Sequence, residues 1–128
     1  MTTALTNGIH ISVDHQYERQ FSNPKNHLFM FSYRIEIENT NDFPIRLMRR
    51  HWRIVDTAMH HREVSGDGVI GEQPIIEPGE HYVYKSACDF TTDTGRMMGY
   101  YEMKNLKTGS IFKVDIPEFM LMVPHRLN

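Results

Sequence analysis

Apolar and polar residues alternate with a period of two along most of the chain, and this pattern predicts β-strands. In residues 29–38 every odd position is aromatic or a branched aliphatic, whereas the even positions are polar after Met30. Residues 9–18 alternate in the same way and place Ile9, Ile11 and Val13 on one face. Strands of this kind bury one face against a core and expose the other to water.

Further strands are predicted between residues that favour turns. They are Ile45–Asp56, a short strand around Arg62–Val64, His81–Cys88, and a hairpin of Met97–Met103 with Ile111–Ile116. Pro117 is expected to interrupt the hairpin, and Phe119–Val123 is expected to form a final strand. Pro78-Gly79 suits a type II turn, because proline fixes φ and the next position needs φ > 0.

The number and spacing of these strands predict the fold class. No window of a dozen residues keeps helical spacing, and no repeat of 20–50 residues occurs. About seven to eight short strands, with Gly, Pro and Asn between them, predict an all-β antiparallel sandwich. A small closed barrel is the alternative, but it is disfavoured because the strands differ in length and Pro44, Pro74 and Pro117 suit edges or boundaries.

Composition and charge narrow the class of partner. The chain has 128 residues, which suits one domain, and a formal net charge of −2, which does not favour nucleic acid or an anionic membrane. No apolar run approaches the roughly 18 residues needed to span a bilayer. The single cysteine, Cys88, cannot form an internal disulfide, so a cytoplasmic location is expected.

A glycine-rich segment from Gly66 to Gly71 has the G-x-G-x-x-G spacing of dinucleotide-binding turns. Such a turn needs a following helix to hold the phosphates, and Pro74 and Pro78 exclude one. Two interpretations remain: a loop that needs φ > 0, or a nest of amides around Gly66, Gly68 and Gly71 that binds an anion. The loop is favoured, because residues 63–80 contain five acidic residues and no lysine or arginine.

The strand at residues 45–56 carries four arginines against one acid. If Trp52 and Ile54 point to the core, Arg49 and Arg53 share the solvent face, whereas Arg50 points inward. The exposed row could grip a phosphate or an acidic partner, but pairing with the acidic segment across the sheet is favoured. An inward Arg50 must find a carboxylate or escape at a bulge.

No pattern of catalytic, cofactor or metal-binding residues stands out. His60 and His61 are adjacent, so they point to opposite faces of a strand and cannot both bind one ion without a bulge. Asp67 and Glu72 supply too few carboxylates for more than a weak cation site. Cys88 is followed by Asp89, whose charge would raise a thiol pKa, so Cys88 is interpreted as a small buried residue. We therefore expect no enzyme, no cofactor and no metal site.

Several strings, taken together, resemble the ApaG family, also called CorD. They are Phe31-x-Tyr33-x-Ile35-x-Ile37-x-Asn39, Arg50-x-Trp52-x-Ile54-x-Asp56, Gly66-x-Gly68-Val69-Ile70-Gly71-Glu72-Gln73-Pro74, Pro78-Gly79-Glu80-x-Tyr82-x-Tyr84-x-Ser86, Gly95-x-Met97-x-Gly99-x-Tyr101 and Phe112-x-Val114-x-Ile116-Pro117-x-Phe119-x-Leu121. The resemblance runs in order from about Ile9 to Pro124. It implies an immunoglobulin-like or fibronectin III-like sandwich and a single ApaG domain over residues 1–128.

The resemblance also implies a role. Bacterial members of the family are linked to cobalt and magnesium efflux, no catalytic residues are established for them, and similar domains serve as recognition modules in eukaryotic proteins. The leading hypothesis is a non-enzymatic module that binds an unidentified protein partner, and a homodimer stays open. The expected contact surfaces are the glycine segment, the row that contains Arg49 and Arg53, and an edge strand with Phe119 and Leu121.

The alternative hypothesis is a small-ligand sensor. Amides of Gly66, Gly68 and Gly71 would hold pyrophosphate or a polyphosphorylated nucleotide, and Arg50 or Arg53 would complete the site. Asp67 and Glu72 oppose an anion there, so a divalent cation would have to bridge them to the phosphate.

Overall fold

The computed structural model describes residues 1–124, which form a sandwich of two antiparallel sheets. The strands are β1 (Thr2–Thr6), β2 (Ile9–Tyr17), β3 (Phe29–Asn39), β4 (Ile45–Asp56), β5 (His61–Asp67), β6 (Ile75–Ile76), β7 (His81–Phe90), β8 (Thr94–Asn105) and β9 (Ile111–Met122). The first sheet has the order β1-β2-β3-β7; the second has the order β5-β4-β8-β9, and β6 also pairs with β4. Short 3-10 turns span Arg19–Phe21 and Pro24–Asn26. No helix in the described range could cross a membrane.

The core lies between the sheets, where the predicted alternation is confirmed. All the odd positions from Phe29 to Asn39 are buried, and so are the odd positions from Ile9 to Val13. Tyr33, Trp52 and Phe119 pack their rings against one another, with centroids 5.6 to 6.1 Å apart. The all-β antiparallel sandwich that the sequence predicts is therefore the fold of the chain.

Two strands were not predicted, and one predicted break is wrong. The inward positions of β1 are Thr2, Ala4 and Thr6, which are small and half-buried, so β1 alternates only weakly; β6 has just two residues. Pro117 does not end a strand. It lies inside β9 at a bulge, where Phe119 faces Met97 and Ile116 faces Gly99, so the N–H that proline lacks is not needed there.

A second bulge, at Met48, reverses the faces of β4. Leu47 pairs with Met103 of β8 and Arg49 pairs with Glu102, so Met48 is the extra residue. Odd-numbered Leu47 and even-numbered Trp52 can both point inward only because of this extra residue. The same bulge turns Arg50 inward, as predicted.

The two lateral sides of the sandwich differ. On the closed side, formed by β1 and β9, the Asn7 amide donates to the carbonyl of Lys113 at 2.9 Å. On the open side, formed by β5 and β7, both strands end their sheets, and within residues 1–124 no strand pairs with their outer edges. Val64 of β5 pairs with buried Trp52 and shares its face, yet it is 37% exposed. The inner face of β5 is therefore only partly covered at Val64. The last four residues of the predicted domain, 125–128, lie outside the described residues.

Candidate functional site

A cleft of about 270 Å³ opens between the sheets on the open side. Its apolar lining comes from Trp52, Ile54 and Met97, which are almost fully buried, and from half-exposed Val64. Its polar lining comes from six residues, which include one acid: Tyr33, Arg50, Arg62, Ser86, Cys88 and Asp89. We call this space the Arg50 cleft. It combines an apolar floor with two guanidinium groups, which is the composition of a binding site with a few oriented polar groups.

Arg50 is held by main-chain atoms and not by a carboxylate. Its Nη1 donates to the carbonyls of Asp67 and Gly68, at 3.1 and 3.0 Å. Among residues 1–124 no carboxylate oxygen lies within 4 Å of its guanidinium nitrogens, and its Nε and Nη2 have no hydrogen-bond acceptor. Arg50 is thus a half-buried cation whose charge has no ion-pair partner in the described part of the chain.

Gly66 makes room for this guanidinium. A Cβ at Gly66 would lie 3.0 to 3.2 Å from Nη1, Nη2 and Cζ of Arg50, which shows that the guanidinium plane covers the Cα of Gly66. Gly66 is a residue of β5, and its φ is not in the left-handed region. The first glycine of the sequence motif therefore leaves space for the Arg50 guanidinium, which a Cβ would push back by a few tenths of an ångström, and it does not serve a special backbone conformation.

Hydroxyl groups lie beside Arg50. Burial raises the pKa of Tyr33, against the smaller opposing effects of a hydrogen bond with Ser86 and of the charge on Arg50. Deeper in the core, Tyr84 and Tyr101 share a hydrogen bond of 2.5 Å, and burial raises the pKa of both hydroxyls. These phenols are neutral near pH 7. Arg50 therefore adds a positive charge to a region of neutral hydroxyls.

Arg62 closes the other end of the cleft. Its Nη1 lies 3.2 Å from Oδ1 of Asp89, and its Nη2 donates to the Asp89 carbonyl at 2.6 Å and to Sγ of Cys88 at 3.0 Å. Burial raises the pKa of the Cys88 thiol to about 11, although the charge of Arg62 opposes this. The prediction that Cys88 is buried is confirmed, since it is 7% exposed.

The glycine segment, residues 66–71, is a loop with positive φ, as the favoured interpretation predicts. Gly68 has φ 60°, Ile70 has φ 43° and Gly71 has φ 79°. The amide of Gly68 donates to the Met48 carbonyl, and Val69 and Glu72 exchange main-chain hydrogen bonds of 2.8 and 2.9 Å. Of the amides that the anion nest would need, that of Gly68 is already used within the chain, and the carbonyls of Asp67 and Gly68 face the Arg50 cation.

The row of exposed cations lies on the outer face of the second sheet. Arg49 bonds to Asp67 at 2.5 Å, which confirms its predicted pairing with the acidic segment, and lies 3.6 Å from Glu102. Arg53 contacts the His61 ring at 3.2 Å. Because Arg50 and Arg53 point to opposite faces of β4, they cannot complete the same ligand site.

Phe119 and Leu121 were expected on an interaction surface, and this prediction is wrong for their side chains. They are 2% and 0% exposed. β9 does form the edge of its sheet, but β1 and β2 of the other sheet cover its inner face, so both side chains belong to the core.

A wider hollow of about 490 Å³ lies on the outer face over β4, β8 and β9. Two of its charged groups have ion-pair partners: His51 lies 2.8 Å from Glu102, and Glu118 lies 3.5 Å from Arg96. The His51 ring stacks on Tyr100, with centroids 4.4 Å apart. This hollow is larger than the Arg50 cleft, but acidic residues (Glu63, Asp115 and Glu118) outnumber its one arginine, Arg53.

Sequence reasoning placed Arg50 inward but missed the cleft around it. The missed residues are Arg62 and Ser86, together with the hydroxyl of Tyr33. A signal was available, because Arg62 and Val64 share the phase of Gly66, and Ser86 shares the phase of buried Tyr84 and Cys88. Within residues 1–124 no three His, Cys, Asp or Glu side chains gather in a way that could hold a metal ion.

Comparisons with known proteins agree on one family. A family model described as "ApaG domain" matches residues 19–105. The chain is 40% identical to Protein ApaG of Brucella canis over 126 residues, which is 98% of this chain and 96% of that protein. A crystal structure titled as the putative ApaA protein from Bordetella pertussis has a TM-score of 0.87 and 37% identity, covering 91% of this chain and 94% of that chain. The C-terminal domain of wzt is 9% identical with a TM-score of 0.57, covers 94% of this chain and 76% of that chain, and shows a shared fold alone.

Proposed function

Because the chain belongs to the ApaG family, we propose that it is a non-enzymatic protein-binding module that binds through the open side of its sandwich. One observation carries the proposal: within residues 1–124 the edge of β7 pairs with no further strand, and it lies beside the inner face of β5, where Val64 stays 37% exposed. Among the described residues, no strand occupies the position that would continue the first sheet over Val64.

The occupant that fits this position is an extended segment of a partner protein. Paired to the outer edge of β7, such a segment would continue the first sheet by one strand, at a spacing of about 4.8 Å. Its alternate side chains would point toward Val64 and the Arg50 cleft. An apolar residue would bury exposed Val64, and main-chain hydrogen bonds to the edge would supply affinity.

The edge also has a feature that limits nonspecific pairing. Arg62 covers the Asp89 carbonyl of β7 with a hydrogen bond of 2.6 Å. A charged side chain on a sheet edge is a common means of preventing association between edges. A partner segment therefore has to pair with the part of β7 before Asp89 or displace Arg62, which favours specific partners.

The small-ligand alternative at Gly66, Gly68 and Gly71 has less support, because the Gly68 amide already donates to the Met48 carbonyl and the loop presents two carbonyls to Arg50. An association with cobalt and magnesium efflux stays a prediction of the family resemblance, and so does a cytoplasmic location.

Site-specific crosslinking in living cells tests the proposal. Val64 is replaced by the photo-crosslinking residue p-benzoylphenylalanine, and Leu5, which is 67% exposed on the closed side, serves as the matched control. We expect a crosslinked product from position 64 that is absent from position 5. Mass spectrometry then maps the crosslinked segment of the partner.

A synthetic peptide of that segment completes the test with purified protein. We expect the peptide to bind the wild-type chain, to bind Val64→Glu at least tenfold more weakly and to bind Leu5→Glu unchanged. Equal crosslinking from both positions, or a peptide that binds Val64→Glu as well as wild type, contradicts binding at the open side.

A further inference from the structure

We infer that the Arg50 cleft is a recognition pocket for a single oxyanion, either a carboxylate or a phosphate. This inference goes beyond the proposed function, because it needs no partner strand on β7. It starts from the charge of Arg50, which has no counter-ion within residues 1–124. A half-buried cation without a counter-ion attracts an anion more strongly than one that is fully solvated.

The part of Arg50 that remains available has the geometry for an oxyanion. Nη1 is used by the two carbonyls, whereas Nε and Nη2 have no acceptor in the described part of the chain. These two nitrogens form one edge of the guanidinium fork, which matches the two oxygens of a carboxylate or a phosphate. A lysine could not offer this paired geometry.

Arg50 is also fixed before any ligand arrives. Its hydrogen bonds to Asp67 and Gly68 anchor one end of the guanidinium, and its flat face lies against Gly66. Side-chain entropy is therefore already lost in the free protein, and an anion gains the full benefit of the contact.

The other groups in the cleft define what the anion is attached to. Tyr33 and Ser86 supply hydroxyls, and Arg62 contributes a second cation that is already paired with Asp89 at 3.2 Å. The lining from Trp52 and Met97 is apolar. A volume of about 270 Å³ holds one group the size of an amino-acid side chain, so the ligand is a small anion or an acidic side chain with an apolar stem.

A free anion and an acidic side chain would both present an oxyanion to Arg50, and two probes distinguish them. Inorganic phosphate represents a free anion, and the capped peptide acetyl-Val-Glu-Val-amide represents an acidic side chain on an extended segment. Trp52 is the only tryptophan of the chain and lines the cleft, so its fluorescence reports binding directly. Titrations are run at constant ionic strength, to remove general salt effects.

We expect a saturable change of Trp52 fluorescence with at least one probe. The affinity should fall about tenfold or more in Arg50→Gln, since the substitution removes a charged group that donates two hydrogen bonds to the anion. Arg53→Gln is the matched control: it removes the same charge from the same strand but on the opposite face, and it should bind like wild type. Phosphate alone identifies a free anion, and the peptide alone identifies a side chain of a docking segment.

Arg50→Gln also removes the hydrogen bonds from Arg50 to the carbonyls of Asp67 and Gly68. A second variant therefore tests the cleft without this loss of structure. Tyr33→Phe keeps both hydrogen bonds of Arg50 and removes one hydroxyl from the cleft, and it should weaken the same probe severalfold. Circular dichroism checks that each variant is folded. No saturable change with either probe, or equal weakening in Arg50→Gln and Arg53→Gln, overturns the inference. Such a result leaves the crosslinking test at Val64 unaffected, so the two proposals can fail separately.

Discussion

The closed and open sides of the sandwich use the same alternating strands and reach different results. On the closed side, Phe119 and Leu121 of an edge strand are buried, because β1 and β2 lie over them. On the open side, Val64 of the opposite edge strand also points inward but stays 37% exposed. The space beside it is lined by Arg50 and Arg62. A period of two thus determines which face of a strand points inward, but not whether another strand covers that face.

This difference has a functional meaning. Apolar burial on the closed side contributes stability, because each large side chain removed from water is worth roughly 1.5–3 kcal/mol. The polar lining of the open side contributes little stability, and within residues 1–124 it gives Arg50 no ion-pair partner. The prediction that follows is that the two sides respond differently to equivalent substitutions.

The largest contrast is expected between Phe119→Ala and Val64→Ala. Phe119 is 2% exposed and contacts Tyr33 and Trp52, so its truncation should cost about 3–5 kcal/mol of unfolding free energy. Val64→Ala should cost less, about 1 kcal/mol, because Val64 is 37% exposed and lines an open cleft, so its truncation leaves no enclosed cavity. Urea denaturation measures both values, and equal costs would contradict the division into two sides.

The next contrast lies within the glycine loop on the open side. Gly68→Ala places a Cβ 1.9 Å from the Glu72 carbonyl at φ 60°, so the main chain has to move. Gly71→Ala has a similar φ of 79° but meets nothing within 4 Å, so it should cost only the conformational strain of about 1–2 kcal/mol. We expect Gly68→Ala to lower the melting temperature by at least twice as much as Gly71→Ala. Similar shifts would show that conformation alone governs the loop.

A smaller effect is expected from the polar turn that leads into β5. Burial opposes ionisation of Asp56, but hydrogen bonds from the main-chain N–H of His60, the hydroxyl of Thr91 and the N–H of Ala58 outweigh it, so the pKa of Asp56 is lowered. Its stabilising effect is therefore present above about pH 3.8, the unfolded value, and is lost as the pH falls through the lower folded pKa.

Asp56→Asn should cost about 1–3 kcal/mol at pH 7, because a buried acceptor of several hydrogen bonds loses its charge. The gap between this variant and wild type should narrow as the pH falls below 3.8. Thermal melts from pH 7 to pH 2 measure it, with exposed Asp42→Asn as the control. A gap that stays constant with pH would mean that the charge of Asp56 does not matter.

The smallest effect concerns reactivity and not stability. With a pKa of about 11, Cys88 is about one part in a thousand thiolate at pH 8. Iodoacetamide should therefore alkylate the native chain at least tenfold more slowly than the chain in denaturant, as measured by mass spectrometry. Equal rates would show that the cleft exposes the thiol, and that the open side admits more than a small group at its entrance.

The sequence predicted the fold and part of the site for identifiable reasons. The faces of β3 and β4 follow from large side chains such as Phe31 and Trp52, whose alternation is strong, and the inward direction of Arg50 follows from its phase with Trp52. The partners of Arg50 could not be predicted, because they are main-chain carbonyls of Asp67 and Gly68, which any residue type provides.

The burial of Phe119 and Leu121 was missed for a related reason. Their cover depends partly on β1, whose inward residues Thr2, Ala4 and Thr6 are too small to produce a clear pattern. Pro117 led to the wrong prediction of a strand break, since a proline inside a bulge looks in sequence like a proline that ends a strand. The alternation within a strand predicts which way a side chain points. Which strands lie beside and over it depends on the order of the strands in the two sheets.

The bulge at Met48 has a consequence for how the length of this chain can vary. The extra residue separates two halves of β4: inward side chains have odd numbers before it and even numbers after it. Deletion of Met48 would join them directly and would exchange the faces of everything from Arg49 to Asp56, which places Arg53 in the core and Trp52 in water. Insertions and deletions should thus be tolerated in the 106–110 turn between β8 and β9, but not at this one position inside a strand.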